Sequence, residues 1–429
     1  MENRIKPRPS TWYIRSYVVG WTISYILILV YSAYLERDGL IKILSFYPTD
    51  GPGNVSASCL PKPIGNHFFG DFVSAVCHAK LPSPYLSPFA TNYFPVSYVV
   101  MKPFAVIYDR SLILAISSLV LVGFCLIALP IWKALRPKLM EESLTFVVLA
   151  VVLSQPFLSA LDRGNIQLIV TGFVIYGFSK LDSNRSSISP VMLGLAAAMK
   201  AYPVVFILIF VRRREWRRLA LATSVGLVTT FLSLVSFAGS FSENFKEMFS
   251  KVLVFREGET MWLRYNSSLK ALVLSGATSQ NRFISATSLF LNQNYSAIAL
   301  VLLVVLVVAI LYFKMEMFDF AILGTLFCTL FIELTAAYVL TLFALAFLYI
   351  DNLETLDKLR KFQLLMLALI MIPKGISIDS KFSDHGPSLT SLLNPLAMLS
   401  LYGTVMFCCL RKTFQGRSME SASGDTSVS

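Results

Sequence analysis

Apolar residues fall along most of this chain in unbroken runs rather than in the spaced stripes of a water-soluble helix. Ser296 to Phe313 and Leu112 to Ala134 each approach the roughly 20 apolar residues needed to cross about 30 Å of hydrocarbon. The pattern predicts spans near 16–34, 111–132, 144–160, 165–180, 187–200, 202–211, 217–239, 295–313, 318–335, 336–350, 362–374 and 389–410. The expected fold is an all-α polytopic membrane protein of about 12 helices, since only self-satisfied backbones cross lipid. Phe94 to Tyr108 is apolar but about 15 residues long, and is expected as a juxtamembrane or re-entrant helix. Residues 1–414 read as one integral domain, and the Ser-rich stretch 415–429 as a disordered tail.

Two long polar interruptions, 36–110 and 240–294, break the array. In the first, Pro48 to Pro63 is irregular in composition. Asn66 to Lys80 then spaces Phe68, Phe69, Phe72, Val73, Val76 and Cys77 as a short helix lying on the membrane does. The second carries Glu243, Glu247, Lys251, Arg256, Glu257 and Glu259 opposite Phe245, Met248, Phe249, Val252 and Leu253, the pattern of a solvated amphipathic segment. The chain has no heptads, no solenoid period and no inverted repeat.

Composition agrees with the hydrophobic pattern. With 55% hydrophobic and 14% charged residues, against about 25% charged in soluble domains, the chain cannot cover a wet surface. The net charge of +12 does not mark a nucleic-acid binder, because the basic residues gather at loop ends. The clusters at 133–138, 212–218, 358–361 and 411–412 fall on one side of the threading above. That places both termini in the cytoplasm and the two long loops outside. The basic leader with Arg4, Lys6, Arg8 and Arg15 precedes a first span that is too long for a signal peptide, so it reads as a retained anchor. Cys59 and Cys77 share the first outer loop, either disulfide-bonded or as free thiols; Cys125, Cys328, Cys408 and Cys409 fall within spans. No Cys/His spacing resembles a zinc site, and His67, His78 and His385 are dispersed, so no metal and no cofactor is expected.

Four groups carry candidate chemistry. Asp71, in Gly70-Asp71-Phe72, can take the proton of a sugar hydroxyl as it attacks an activated anomeric carbon; the plain alternative is a solvated loop aspartate. Arg163, in Asp162-Arg163-Gly164-Asn165, can bind a phosphate through its planar fork of donors; the same four residues also make an ordinary inter-helix turn. Lys200 lies inside a long apolar stretch, where a charge is expensive unless it meets water or an anion; snorkelling to an interface is the alternative. Asn266-Ser267-Ser268 offers neutral groups suited to sugar hydroxyls, and it also fits the N-glycosylation acceptor pattern. Glu333 is a second acidic candidate at the outer edge, and Asp319 and Asp351 read as cytoplasmic span ends with no assigned role.

In this order the features resemble glycosyltransferase family 87, the polyprenyl-phosphate-mannose-dependent alpha-mannosyltransferases of the GT-C class. The matching elements are Gly70-Asp71-Phe72, Pro84-Tyr85, Tyr93-Phe94-Pro95, the turn Arg163-Gly164-Asn165-Ile166-Gln167, Ala196 to Pro203 with its Lys200, and Asn266-Ser267-Ser268-Leu269. Asn165 and Gln167 reverse the family's usual order of Gln and Asn, and Phe94-Pro95 replaces a double proline. The resemblance implies an inverting, metal-independent hexosyl transfer, with mannose the first sugar to test, from a polyprenyl-phosphate donor to a cell-envelope glycolipid or glycan. It would occur on the outer face of a bacterial cytoplasmic membrane. Asp71 would be the base, and Arg163 and Lys200 would hold the donor phosphate. Tyr85, Asn92, Tyr93, Asn165, Asn266 and Ser268 would orient sugar or acceptor. A multi-span transporter or lipid flippase, with Lys200 and Arg163 lining its path, and a non-catalytic subunit of an envelope-assembly complex are the competing readings.

Overall fold

A computed structural model describes residues 69–86, 93–139, 142–183, 187–259, 266–277, 281–332, 335–352, 358–372, 374 and 388–424, with isolated positions between 19 and 30. Over these residues the chain is helical, with an antiparallel bridge between Asn266 and Ala336. The first polar segment forms α1 (Gly70–Lys80) and α2 (Pro95–Arg110), where the sequence predicts helices over 66–80 and 94–108. Then follow α3 (Leu112–Leu139), α4 (Glu142–Val147) running into a π turn (Val148–Val152), α5 (Gln155–Arg163), α6 (Gln167–Ser179) and α7 (Ile188–Met199). A 3-10 segment (Tyr202–Ile207) leads to α8 (Leu208–Arg212) and α9 (Trp216–Val235). The second long interruption folds as α10 (Phe241–Glu259), α11 (Leu269–Ala277) and α12 (Arg282–Gln293). The chain ends with α13 (Tyr295–Tyr312), α14 (Met317–Thr329), a 3-10 run (Ala337–Asn352), α15 (Lys358–Met371) and α16 (Leu389–Gly424).

Four helices, α3, α9, α13 and α16, are long and apolar enough to cross a membrane, and the pair Ser143–Val152 and Gln155–Arg163, bent by 57°, makes a fifth if it is one span. The chain is therefore an integral membrane protein. The expected count of about 12 crossings is not reached by full-length helices among the described residues. The central apolar segments are short: α6 has 13 residues and α7 has 12, rising about 18–20 Å at 1.5 Å each. Around them, Pro156 opens α5, Gly164 closes it ahead of α6, and Pro203 opens the 3-10 segment that follows α7. At the C-terminus α16 continues past Gln415 to Gly424, into the stretch expected to be disordered.

The short helices are held by close backbone approach. A Cβ at Gly194 of α7 would come within 2.4 Å of the Ala222 carbonyl of α9, so only glycine lets these two helices meet there. At the bundle end away from α1, Arg360 of α15 clamps Asp319 of α14, one contact being Nη2 to Oδ2 at 2.8 Å. Glu316 extends the network to Arg360 at 3.2 Å and to Lys412 of α16. Asp319 is thus one half of a buried ion pair, beyond the plain span end that the sequence suggests.

Candidate active site

The site begins where α5 stops. Gly164 adopts φ +59°, the left-handed conformation that glycine takes without strain. Gly164 N–H bonds Leu161 O at 2.9 Å and Asn165 N–H bonds Ala160 O at 2.9 Å, the paired closure of a Schellman motif. The same glycine forms the seat for α1: a Cβ there would lie 2.5 Å from the Phe69 ring and 2.6 Å from Phe72 Cβ. Phe69 N–H donates to Asp162 O at 2.7 Å, and Phe69 is itself left-handed at φ 58°, a strained setting for a bulky residue. These contacts lay the first turn of α1, which carries Asp71, across the α5–α6 turn.

As a result Arg163 Nη2 meets Asp71 Oδ1 at 2.9 Å, and Asn165 Nδ2 donates to Asp71 Oδ2 at 2.7 Å. The Asn165 amide is oriented by its other end, because Oδ1 accepts the Gln167 N–H at 2.9 Å and so turns the NH₂ toward the carboxylate. That NH₂ also donates to the Tyr93 hydroxyl at 3.2 Å. Each Asp71 oxygen keeps a further lone pair, and the side chain is 18% exposed, so an incoming hydroxyl can reach it.

Lys200 stands on the other side of Tyr93. Ser97 of α2 donates to Met199 O at 2.8 Å, which brings the start of α2 against the end of α7. The Lys200 ammonium then lies 5.7 Å from the ring centre of Tyr93, 5.8 Å from that of Tyr202 and 5.4 Å from that of Tyr338. Three π faces at these distances stabilise a cation, each by about 0.5–2 kcal/mol. Lys200 makes no ion pair among the described residues. Two cations, Arg163 and Lys200, thus stand on either side of Tyr93 near the Asp71 carboxylate. Burial first, then the charge of Asp71, pushes the Tyr93 hydroxyl well above its ordinary range; it stays protonated as a neutral hydrogen-bonding group.

A buried polar chain joins the two halves. Tyr202 OH donates to Gln167 Oε1, Gln167 Nε2 to Thr171 at 3.0 Å, and Thr171 pairs with Thr341 at 2.8 Å. Tyr338, Thr171 and Thr341 carry no charge and sit in apolar runs, so nothing in the sequence marks them as site residues. Gln167 was visible only as part of the turn. The tyrosine of Tyr202-Pro203, two residues after an intramembrane lysine, was the one available cue.

The remaining sequence candidates sit further out. Tyr85 is buried and donates to Tyr93 O at 2.8 Å, so it supports the Tyr93 backbone without reaching Asp71. Asn266 Oδ1 accepts from Ser268 N at 3.0 Å and from Thr335 N at 2.9 Å, while Ser268 Oγ accepts from Ala271 N at 3.3 Å at the start of α11. Both side chains organise backbone, and Asn266 pairs with Ala336, two residues before Tyr338. Asn92, Glu333 and Cys59 lie outside the described residues. Cys77 is disulfide-bonded, whereas Cys125, Cys328, Cys408 and Cys409 are free thiols. Among the described residues no three His, Cys, Asp or Glu side chains converge as metal ligands.

The family model of glycosyltransferase family 87 matches residues 91–333, more than half of the 429. The chain belongs to glycosyltransferase family 87. No curated protein and no solved structure matches it. Family 87 membership makes it a membrane glycosyltransferase, consistent with hexosyl transfer, and sets aside the transporter reading. Tyr93, Arg163, Asn165, Lys200, Asn266 and Ser268 fall inside the family 87 match. Asp71 and Tyr85 precede it, so the case for Asp71 rests on its bonds to Arg163 and Asn165.

Proposed function

We propose that this family 87 glycosyltransferase moves a hexose, mannose before others, from a polyprenyl-phosphate donor to a cell-envelope glycolipid or glycan. Transfer takes place on the extracytoplasmic face of a bacterial membrane, with both chain termini in the cytoplasm. The observation that carries the reading is the meeting of one carboxylate, Asp71, with two cations, Arg163 and Lys200, around the Tyr93 hydroxyl. An activated sugar phosphate needs a base on the attacking hydroxyl and positive charge on the departing phosphate, and this cluster has both.

Asp71 takes the acceptor proton as the hydroxyl attacks the anomeric carbon from the face opposite the phosphate, which inverts that centre. Arg163 and Lys200 hold the phosphate while the glycosidic C–O bond breaks and negative charge gathers on its oxygens. Asn165 and Tyr93 orient the sugar between base and phosphate, and Asn92, Tyr85, Asn266 and Ser268 line or support the acceptor side. Because the fixed cations supply the charge, the step draws on no metal. The test is a transfer assay in membranes with polyprenyl-phosphate-mannose and envelope glycolipids, with product read by mass. Asp71→Asn should lower turnover by about 10²–10⁴, the usual contribution of a general base; turnover at the wild-type rate would remove Asp71 from the mechanism.

A further inference from the structure

The lipid-facing surface of α9 does not stop at the end of the span. On α9, Leu227, Val228, Phe231, Leu232 and Val235 are all exposed, which for a membrane span means turned toward acyl chains. The Phe231 ring lies 5.4 Å from that of Phe241, at the start of α10. Phe241 stacks on Phe245 at 5.8 Å with the planes 21° apart, and Phe245 meets Phe249 at 4.9 Å. Recurring every fourth residue, the three phenylalanines form one line along the helix. They are 41%, 44% and 48% exposed.

The other sides of α10 have different work. Glu243 and Glu247 fall opposite the phenylalanine line at 100° per residue. A third side seats the helix on the protein: Asn244 and Met248 are buried, and Asn244 Oδ1 accepts from Ser83 Oγ at 2.6 Å. Ala238 N–H, just before the helix, donates to Pro82 O at 2.8 Å. The aromatic line is therefore neither core nor the means by which α10 is attached.

Two facts identify what covers it. The line continues the lipid-facing side of a membrane span ring by ring, and the charged side keeps the helix from entering hydrocarbon, the pattern of a helix lying in the interface. We propose that α10 lies along the membrane surface with Phe241, Phe245 and Phe249 sunk among lipid acyl chains, as an interfacial lipid-docking surface. Its seated side grips Pro82 and Ser83, the stretch that follows α1. Docking thereby sets the height above the bilayer of the helix that carries Asp71.

The test does not depend on sugar transfer. Full-length protein carrying benzoylphenylalanine at position 245 or at position 243 is reconstituted in phosphatidylcholine vesicles, irradiated and analysed by mass. Position 249 replaces 245 if that variant fails to elute as a folded species. Phospholipid adducts from 245 or 249 and none from 243 are expected. An adduct to a second copy of the chain, equal lipid labelling at 243, or no adduct from any position overturns the proposal.

Discussion

Gly164 carries two demands at once: a left-handed backbone that closes α5, and an open face on which Phe69 and Phe72 rest. Gly164→Ala should lower stability by about 1 kcal/mol for the backbone alone and a further 1–3 kcal/mol for the clash. The shift is readable in the thermal unfolding midpoint, and transfer should fall with it because Asp71 sits on the displaced helix. Gln167 poses a different test. Gln167→Leu removes the amide that joins Tyr202 to Thr171, and a misplacement of about 1 Å near reacting atoms lowers rates about hundredfold. Tyr202→Phe keeps the ring over Lys200 and loses only the hydroxyl, so it should leave donor KM nearly unchanged while kcat falls. A larger effect on KM than on kcat would mean that Gln167 and Tyr202 serve donor binding. Lys200 was legible because a charge in apolar surroundings demands an explanation, and Asp71 and Arg163 because their chemistry stands out in short polar motifs on the same side of the threading. Gln167, Tyr202 and the paired threonines were not, since a neutral group in an apolar run looks the same in the sequence whether it lines a site or caps a turn.

At the level of elements, long uniform runs were easy to read and interrupted ones were not. The runs giving α3 and α13 appear as full helices, whereas of the two spans expected at 187–200 and 202–211 the first is α7 and the second is a 3-10 segment followed by the short α8. Hydropathy registers that a segment is apolar, but a change from α to 3-10 winding leaves it untouched. Helix α1 gives an element-scale prediction of its own. His78 is buried, bonded through Nδ1 to Ser74 O at 2.8 Å, with no partner at Nε2. Burial first, and the nearby Lys251 charge after the opposing Ser74 bond, hold its pKa below the ordinary value. An unfolded chain takes up this proton near pH 6.5 while the folded chain still refuses it, so stability is full above that pH and falls as pH drops below it. Unfolding midpoints measured in detergent should decline on acidification, and His78→Leu should flatten the decline.

Across the whole molecule, the chemistry is at one end and the strongest ionic bracing at the other. Breaking a buried pair leaves its partner uncompensated, typically at 3–5 kcal/mol, so Arg360→Leu should lower the unfolding midpoint sharply while a surviving folded fraction keeps the wild-type donor KM. A changed KM would mean that the two ends are coupled. The three rings around Lys200 come from the entry to α2, the segment after α7 and the start of the second 3-10 run, far apart in the chain. This has a bearing on biogenesis. During synthesis Lys200 follows Tyr93 by 107 residues and must wait a further 138 for Tyr338, and in that interval its ammonium has a wall missing. A nascent chain thus meets the translocation machinery with an unsheltered cation, and only a chain extended past Tyr338 can close around it.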